Sequence, residues 1–248
     1  MLIGKIHKGS GLGNQLHTYV MTRVLAADKG LDFGFVGIEN FKGNSFLKLD
    51  WGKPVDLKYH IEMPAGKLVV DSQHKLFEEN SDVYNEQINN IEDNTVIDGY
   101  FQAEKYWAHR RKEVEEWLKT EPMSMPDDLC VINFRGGEFS TVPDLYLTHE
   151  YWDLALKEMG NKGLRFIICT DDPKEARRFF PGIEVLHEIG RDWRMIRYAK
   201  HLILSNSSFA ILTAWLGQAD IIAPKFWGRR MKGYWLMPQN EYAFWRYL

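Results

Sequence analysis

Cysteine is scarce in this chain: two residues in 248, Cys130 and Cys169, each inside an apolar run. Their spacing excludes a disulfide framework or a zinc pattern and predicts two buried thiols. Positive charge has no surplus either. Lys and Arg number 31 against 34 Asp and Glu, a net charge of -3, which argues against a dedicated nucleic-acid binder. No apolar run approaches the ~20 residues that a membrane-spanning helix needs, so no integral membrane span is expected. The opening Leu2-Ile3-Gly4-Lys5-Ile6 carries no leader pattern, and a cytoplasmic chain is expected. There is no H-E-x-x-H, P-loop, G-x-S-x-G or paired C-x-x-C, which removes the commonest zinc, nucleotide-triphosphate and serine-hydrolase signatures. D-x-D is absent as well, so a metal-chelated nucleotide sugar is not expected, and neither a metal nor a cofactor is called for.

What remains is ordinary globular material, with 45% hydrophobic and 26% charged residues, enough for one or two domains. The sharpest break is Glu121-Pro122-Met123-Ser124-Met125-Pro126-Asp127-Asp128. Two prolines and three acids there can continue neither a helix nor a central strand. The break predicts two domains, 1–122 and 123–248. The first opens with a strand over 2–7, a glycine turn at Gly9-Ser10-Gly11-Leu12-Gly13, a helix over 14–29 stopped by Gly30, and a strand over 33–36. Short strands follow at 68–70 and 95–97, then a helix over 104–119. The second alternates strands at 129–134, 165–169, 183–186, 201–204 and 219–222 with helices at 149–159, 173–180, 192–199 and 208–216. Short Ile/Val-rich strands between helices predict an α/β fold with a doubly wound, mostly parallel sheet. In such sheets ligands sit beyond the carboxyl ends of the strands.

Four loops there could carry chemistry. In the first, Gly11 and Gly13 allow backbone N–H groups to approach an anion at a helix start, and Asn14-Gln15 offers two amides. The spacing is G-x-G-x-G, not the dinucleotide fingerprint. In the second, Asn133-Phe134-Arg135-Gly136-Gly137-Glu138, an arginine at a strand end suits a bidentate grip on phosphate, or an ion pair with Glu138 or an aspartate. In the third, Asp171-Asp172-Pro173 reads as an N-cap or as carboxylates for a ribose or base. In the fourth, Ser205-Asn206-Ser207-Ser208-Phe209 places hydroxyls and free N–H groups at a helix start. The histidines are scattered and read as surface or core fillers. Five of nine tryptophans follow residue 190 and read as core residues or as platforms for sugar faces.

Three segments, in this order, resemble the bacterial α-1,2-fucosyltransferases. Gly11-Leu12-Gly13-Asn14-Gln15-Leu16 is similar to their G-L-G-N-Q-[ML] opening. Asp98-Gly99-Tyr100-Phe101-Gln102-Ala103-Glu104-Lys105-Tyr106 is similar to G-Y-F-Q-S-E-K-Y. Leu204-Ser205-Asn206-Ser207-Ser208-Phe209, with Ala214-Trp215-Leu216, is similar to A-N-S-S-F-S-W-W-x-A-W-L. The resemblance spans residues 9 to about 225. It departs at the strand-end motif H-x-R-R-G-D, where this chain has Asn133, Gly136 and Glu138 and keeps Arg135 and one glycine.

The resemblance implies a GT-B-like fold, with two Rossmann-like halves facing a central cleft. The first half would be the acceptor side and the second would bind GDP-fucose, with a glycan hydroxyl as acceptor. It implies an inverting transfer with no required metal. Arg135 would hold the β-phosphate, Ser207, Ser208 and Phe209 the other phosphate, and Asp171 or Asp172 the guanine or ribose. Gly11, Gly13, Asn14, Gln15, Asn133 and Asn206 are further donor contacts on this reading, and Glu104 and His17 are candidate bases. The altered strand-end motif also admits a catalytically inactive nucleotide-sugar or glycan-binding protein. A nicotinamide-dependent oxidoreductase built on the glycine loop is a third reading.

Overall fold

A computed structural model describes residues 1–62, 66–79, 84–225, 242 and 244–248. The chain divides into two compact units, Met1–Lys119 and Thr120–Leu248.

The first unit contains β1 (Leu2–Lys5), α1 (Leu12–Lys29), β2 (Phe33–Val36), β3 (Tyr59–Glu62), β4 (Lys67–Val70), β5 (Lys75–Glu78), β6 (Thr95–Asp98) and α2 (Arg111–Trp117). Strands β2-β1-β6-β5 form one sheet in that order, and every pairing in it is parallel. Helix α1 is buried nearly all round, from Leu12 to Ala26. It starts two residues earlier than its apolar periodicity predicts, because the extended Gly11 is its N-cap and Gln15 N–H already bonds Gly11 O. It stops where expected. Gly30 takes the left-handed conformation (φ 62°) and its N–H reaches Ala26 and Ala27 carbonyls, a cap that a side chain would strain. Strand β4 covers the strand expected over 68–70, while its antiparallel partner β3 and β5 lie in stretches where the sequence shows no clean period. The helix expected over 104–119 is instead two 3₁₀ turns, Glu104–Tyr106 and Ala108–Arg110, followed by α2. Of the residues expected inward, Trp107, Val114 and Leu118 are buried and Trp117 is half-buried. The periodicity therefore reported the buried face and not the hydrogen-bond pattern.

The second unit contains β7 (Leu129–Phe134), α3 (His149–Gly160), β8 (Arg165–Thr170), α4 (Pro173–Phe179), β9 (Glu184–Leu186), α5 (Ile189–Tyr198), β10 (His201–Ile203), α6 (Ser208–Trp215), β11 (Asp220–Ala223) and β12 (Arg246–Tyr247). Its sheet runs β12-β11-β10-β7-β8-β9, all parallel. Numbered within the unit, that is the order 3-2-1-4-5-6 of doubly wound nucleotide-binding sheets. Successive strand residues face opposite ways. Ile168 joins Cys130, Ile132 and Phe134 in a core with Tyr151, Trp152, Ala176 and Phe180 of the α3–α4 side. Cys169, one residue on, instead meets Asp192 of α5. Both cysteines are free and fully buried, and burial pushes the Cys130 thiol up to about 12. Helix α5 begins at Ile189, three residues before the predicted start, because Glu188 accepts bonds from the Gly190 and Arg191 N–H groups. Trp193 and Trp215 are buried core residues, while Trp227 and Trp235 lie outside the described residues.

Candidate functional site

Each unit has one place where the chain reverses its direction of winding, so that two strands distant in sequence lie side by side. Ligands of open parallel sheets bind just beyond the strand ends at this point. In the second unit it falls between β7 and β10. The residues leaving those strands are Asn133–Arg135 and Leu204–Phe209, two of the segments the sequence singles out.

The two strand ends are tied together. Ser205 Oγ donates to Asn133 Oδ1 at 2.7 Å, with Ser205 1% and Asn133 7% exposed. Asn206 Nδ2 donates to Leu145 O at 2.8 Å and is equally buried. Asn133, Ser205 and Asn206 therefore brace the crevice, and the open positions are Ser207, Ser208 and Phe209, all half-buried. Ser207 is the N-cap of α6, and its side chain makes no capping hydrogen bond. The first-turn N–H groups of α6 thus keep their capacity to bind an anion. Trp193 packs edge-on against the Phe209 ring, with centroids 5.6 Å apart, and fixes this turn.

Arg135 leaves the end of β7 half-buried over the Phe139 ring. Its guanidinium is shared by two carboxylates: Nη1 pairs with Asp171 Oδ2, and Nη2 donates to Glu138 Oε1 at 2.8 Å. Asp171 Oδ1 also accepts the Gly136 N–H at 2.9 Å. Asp171 is therefore the residue that orients the arginine loop. Asp172 is the N-cap of α4, accepting from Glu175 N–H at 3.0 Å, with Pro173 at the first helical position. Its Oδ1 serves the helix, as the N-cap expectation has it. The loops also explain the departure at Gly136. A Cβ there would sit 2.6 Å from the Asp172 Cβ, and one at Gly137 (φ 40°) would sit 2.4 Å from Asp171 Oδ2. A second arginine in place of Gly136 does not fit this backbone.

In the first unit the winding reverses between β1 and β6. Here the glycine loop and the segment 98–104 meet. Gln102 Nε2 donates to Asn14 Oδ1 at 2.8 Å, and Thr18 Oγ1 donates to Gly99 O at 3.0 Å. Glu79 Oε2 accepts the N–H groups of Tyr100 and Phe101 at 2.9 and 2.5 Å, holding Phe101 at a positive φ of 47°. Such a strained residue persists only where its surroundings fix it. Gly11 is exposed, Gly13 is buried in the first turn of α1, and Asn14 is half-buried.

Two expectations fail here. Gln15 is 1% exposed and its amide is fully engaged, donating to His7 O (3.2 Å) and Asn40 O (2.9 Å) and accepting from Lys42 N–H (3.0 Å). It staples three loops and has no group left for a donor. His17 is 0% exposed, and Nδ1–H donates to Gly13 O at 2.8 Å. Burial holds its pKa down at about 4. A sealed, weakly basic imidazole cannot reach a substrate hydroxyl, so His17 belongs to the core. Glu104 opens a 3₁₀ turn and is half-buried.

The sequence reading passed over one pair. His7 Nε2 lies 2.5 Å from Asp98 Oδ1, bridging the ends of β1 and β6, with side chains 30% and 17% exposed. Asp98 opens the second of the three segments quoted above, but nothing in the spacing links it to a histidine 91 residues earlier.

No described helix is long and apolar enough to cross a membrane. No family model and no curated protein matches the chain. Solved structures do. The crystal structure of NodZ α-1,6-fucosyltransferase soaked with GDP-fucose superposes with a TM-score of 0.51 at 14% identity, over 90% of this chain and 94% of that one. The fucosyltransferase NodZ from Bradyrhizobium gives 0.50 at 15% identity, with the same coverage. At this identity the likeness is one of architecture, and the mixed α/β chain with its mostly parallel sheets has a fucosyltransferase-like, GT-B-like fold.

Proposed function

We propose that the chain is a cytoplasmic glycosyltransferase that moves fucose from GDP-fucose to a glycan hydroxyl with inversion and without a metal. The second unit binds the donor, and the first serves the acceptor. The single observation that carries this reading is the reversal point of the second sheet. There Arg135 and the uncapped start of α6 lie on the two strands that flank the ligand position of a nucleotide-binding sheet. The sequence resemblance and a neighbour soaked with GDP-fucose point to the same donor.

The chemistry follows from charge. As the acceptor oxygen bonds to the sugar's anomeric carbon, the bond from that carbon to the diphosphate oxygen breaks, and its electron pair goes to the diphosphate. Fixed donors aimed at that growing charge lower the barrier most. Arg135 supplies two N–H groups to the β-phosphate, and the Ser207–Phe209 turn supplies amides and hydroxyls to the other. Asp171 keeps the guanidinium in position, and diphosphate displaces Glu138 from its other edge. Of the two bases expected from sequence, Glu104 is the one that is not sealed. The motifs resemble α-1,2 enzymes while the structural neighbour is an α-1,6 enzyme, so product linkage is to be read directly by methylation analysis.

Millimolar GDP without divalent cations is expected to raise the melting temperature. An unchanged melt across that range removes the donor site. One observation favours a second reading: Asn133 is spent on Ser205, and neither Gly136 nor Glu138 supplies a cation. That is a donor-binding protein without turnover, selected by GDP binding with no release of fucose to any acceptor or to water.

A further inference from the structure

Among the described residues, Lys5 is the one Lys or Arg that is buried, at 4% exposure. A lysine is almost never taken out of water unless a carboxylate comes with it. The half-buried arginines follow that rule: Arg23 has Asp50 at 3.7 Å, and Arg135 has Asp171 and Glu138. Within the described residues, Lys5 Nζ has neither a carboxylate nor a hydrogen-bond acceptor. Its partner is the face of the Tyr59 ring, with 3.5 Å from Nζ to the centroid. A ring face attracts an ammonium but does not satisfy its three N–H donors as oxygens do. The described atoms that are both sealed and partnerless include His17 Nε2 and Trp152 Nε1, and Lys5 Nζ is not one of them. The ammonium therefore keeps a narrow contact with water, which an incoming oxygen can take over.

The position matters as much as the charge. Successive strand residues face opposite ways, so Lys5 shares a face with Ile3, which packs with Leu68 and Val96. Gly4 faces α1 instead, where an added Cβ would meet Thr22. An apolar side chain at position 5 would extend the Ile3 cluster, yet a lysine stands there. It is the last residue of β1, at the carboxyl end of the sheet and beside its reversal point, where a parallel sheet presents its ligand. Asp98, at the end of the adjoining strand, pairs with His7 and not with Lys5. The cover over Lys5 is thin. Tyr59 belongs to β3, whose four residues are all exposed, so a turn of one side chain uncovers the ammonium. We propose that Lys5 anchors a second ligand site, confined to the first unit, that takes an oxyanion: the carboxylate of an acidic sugar or a phosphate group. The oxyanion accepts the N–H bonds that the Tyr59 ring leaves unmade. On the transferase reading this group belongs to the acceptor, but the site does not depend on the donor assignment.

The test titrates the full chain by calorimetry with glucuronate, with inorganic phosphate, and with glucose as the neutral control. The same titrations in the Arg135→Ala chain keep the second unit's guanidinium out of the count. At least one anion is expected to bind at millimolar concentration in both chains, and glucose at least about tenfold more weakly. Glucuronate ahead of phosphate names an acidic sugar as the source, and the reverse names a phosphate ester. Lys5→Met should lose at least about tenfold in anion affinity. It should melt no lower than the parent, because an apolar chain replaces a buried ammonium that has no carboxylate. In the parent, the bound anion should slow acetylation of Lys5, read by peptide mass, where chloride at equal ionic strength does not. Where Lys5→Met melts lower or does not fold, this acetylation readout decides. Anion affinity within about threefold of the parent in Lys5→Met overturns the proposal and makes the lysine a strut for Tyr59. So does acetylation that the anion leaves unchanged, glucose binding as tightly as the anions, or anion binding that is absent or abolished by Arg135→Ala. GDP binding by the parent is read separately, and its failure removes the donor site while leaving this one standing.

Discussion

The two units solve the same geometric problem with opposite chemistry. Each is a parallel sheet whose winding reverses beside its first strand, and in each a polar side-chain pair bridges the two strand ends. In the second unit the bridge is neutral, Asn133 with Ser205, and the charge beside it is the Arg135 guanidinium and an uncapped helix start. In the first unit the bridge itself is the ionisable pair His7–Asp98, and the neighbouring helix start is crowded with committed amides. One reversal point carries a guanidinium beside a helix start, and the other carries an imidazole paired with a carboxylate. Strand order places the sites, and the residues at the strand ends decide their roles.

The contrast can be pressed by pH and by substitution, in decreasing order of expected effect. Replacing Arg135 with Ala should weaken GDP binding by roughly 1.5–3 kcal/mol, the value of a charged hydrogen bond. Calorimetry reads this, and an unchanged affinity removes Arg135 from the site. Next is the buried His17. Its pKa is about 4 in the folded chain and near 6.5 when unfolded. The unfolded state therefore binds more protons between those values. The stability His17 contributes is complete above about pH 6.5 and is lost as pH falls toward 4. From pH 7 to pH 5 the cost is about 2 kcal/mol, visible as the part of the urea-stability change that His17→Leu abolishes. Asp192 in the second unit should do the reverse. Burial raises its pKa to about 6, so its contribution is present below the unfolded value and is lost as pH rises through about 6. Asp192→Asn should therefore flatten the profile in the opposite sense to His17→Leu.

How far these features were legible in the sequence differs between the units for the same reason. Five of the second unit's strands are short apolar runs, and its helices are bounded by Pro173, Ser207 and Gly-rich loops, so their order is readable in the sequence; the two-residue β12, with no apolar run, is not. Ser207, Ser208, Phe209 and Arg135 are local features at the ends of those elements, and they stand where strand order puts a ligand. The first unit is less regular. Its β3–β4 hairpin carries exposed Tyr59 and Ile61 and shows no clean alternation, and segment 104–117 buries the right residues through 3₁₀ turns. Gln15 looked like a ligand-binding amide because sequence shows the group and not the carbonyls of His7 and Asn40 that occupy it. His7 looked idle because its partner is 91 residues away. Long-range polar pairing leaves no periodic trace.

Two further substitutions sharpen the comparison. Ser205→Ala removes a buried bond and leaves Asn133 Oδ1 unsatisfied, which should cost about 1–3 kcal/mol in stability and loosen GDP, while the first unit's amide protection is unchanged. A matching loss of protection at residues 98–104 would contradict this. Glu138→Gln frees one edge of Arg135 and should tighten GDP by less than about 1 kcal/mol, since the Glu138 side chain is 73% exposed and its ion pair is weak. The gain should shrink in high salt. Weaker binding in this variant would make Glu138 a donor contact and not a competitor.

Amide hydrogen exchange of the whole chain with and without GDP, in chelator-treated buffer, tests the central claim most directly. The account predicts slowed exchange at residues 135–138 and 207–210, with the glycine loop at 9–15 unaffected. Slowed exchange at 9–15 with none at the ends of β7 and β10, or none anywhere, would contradict it.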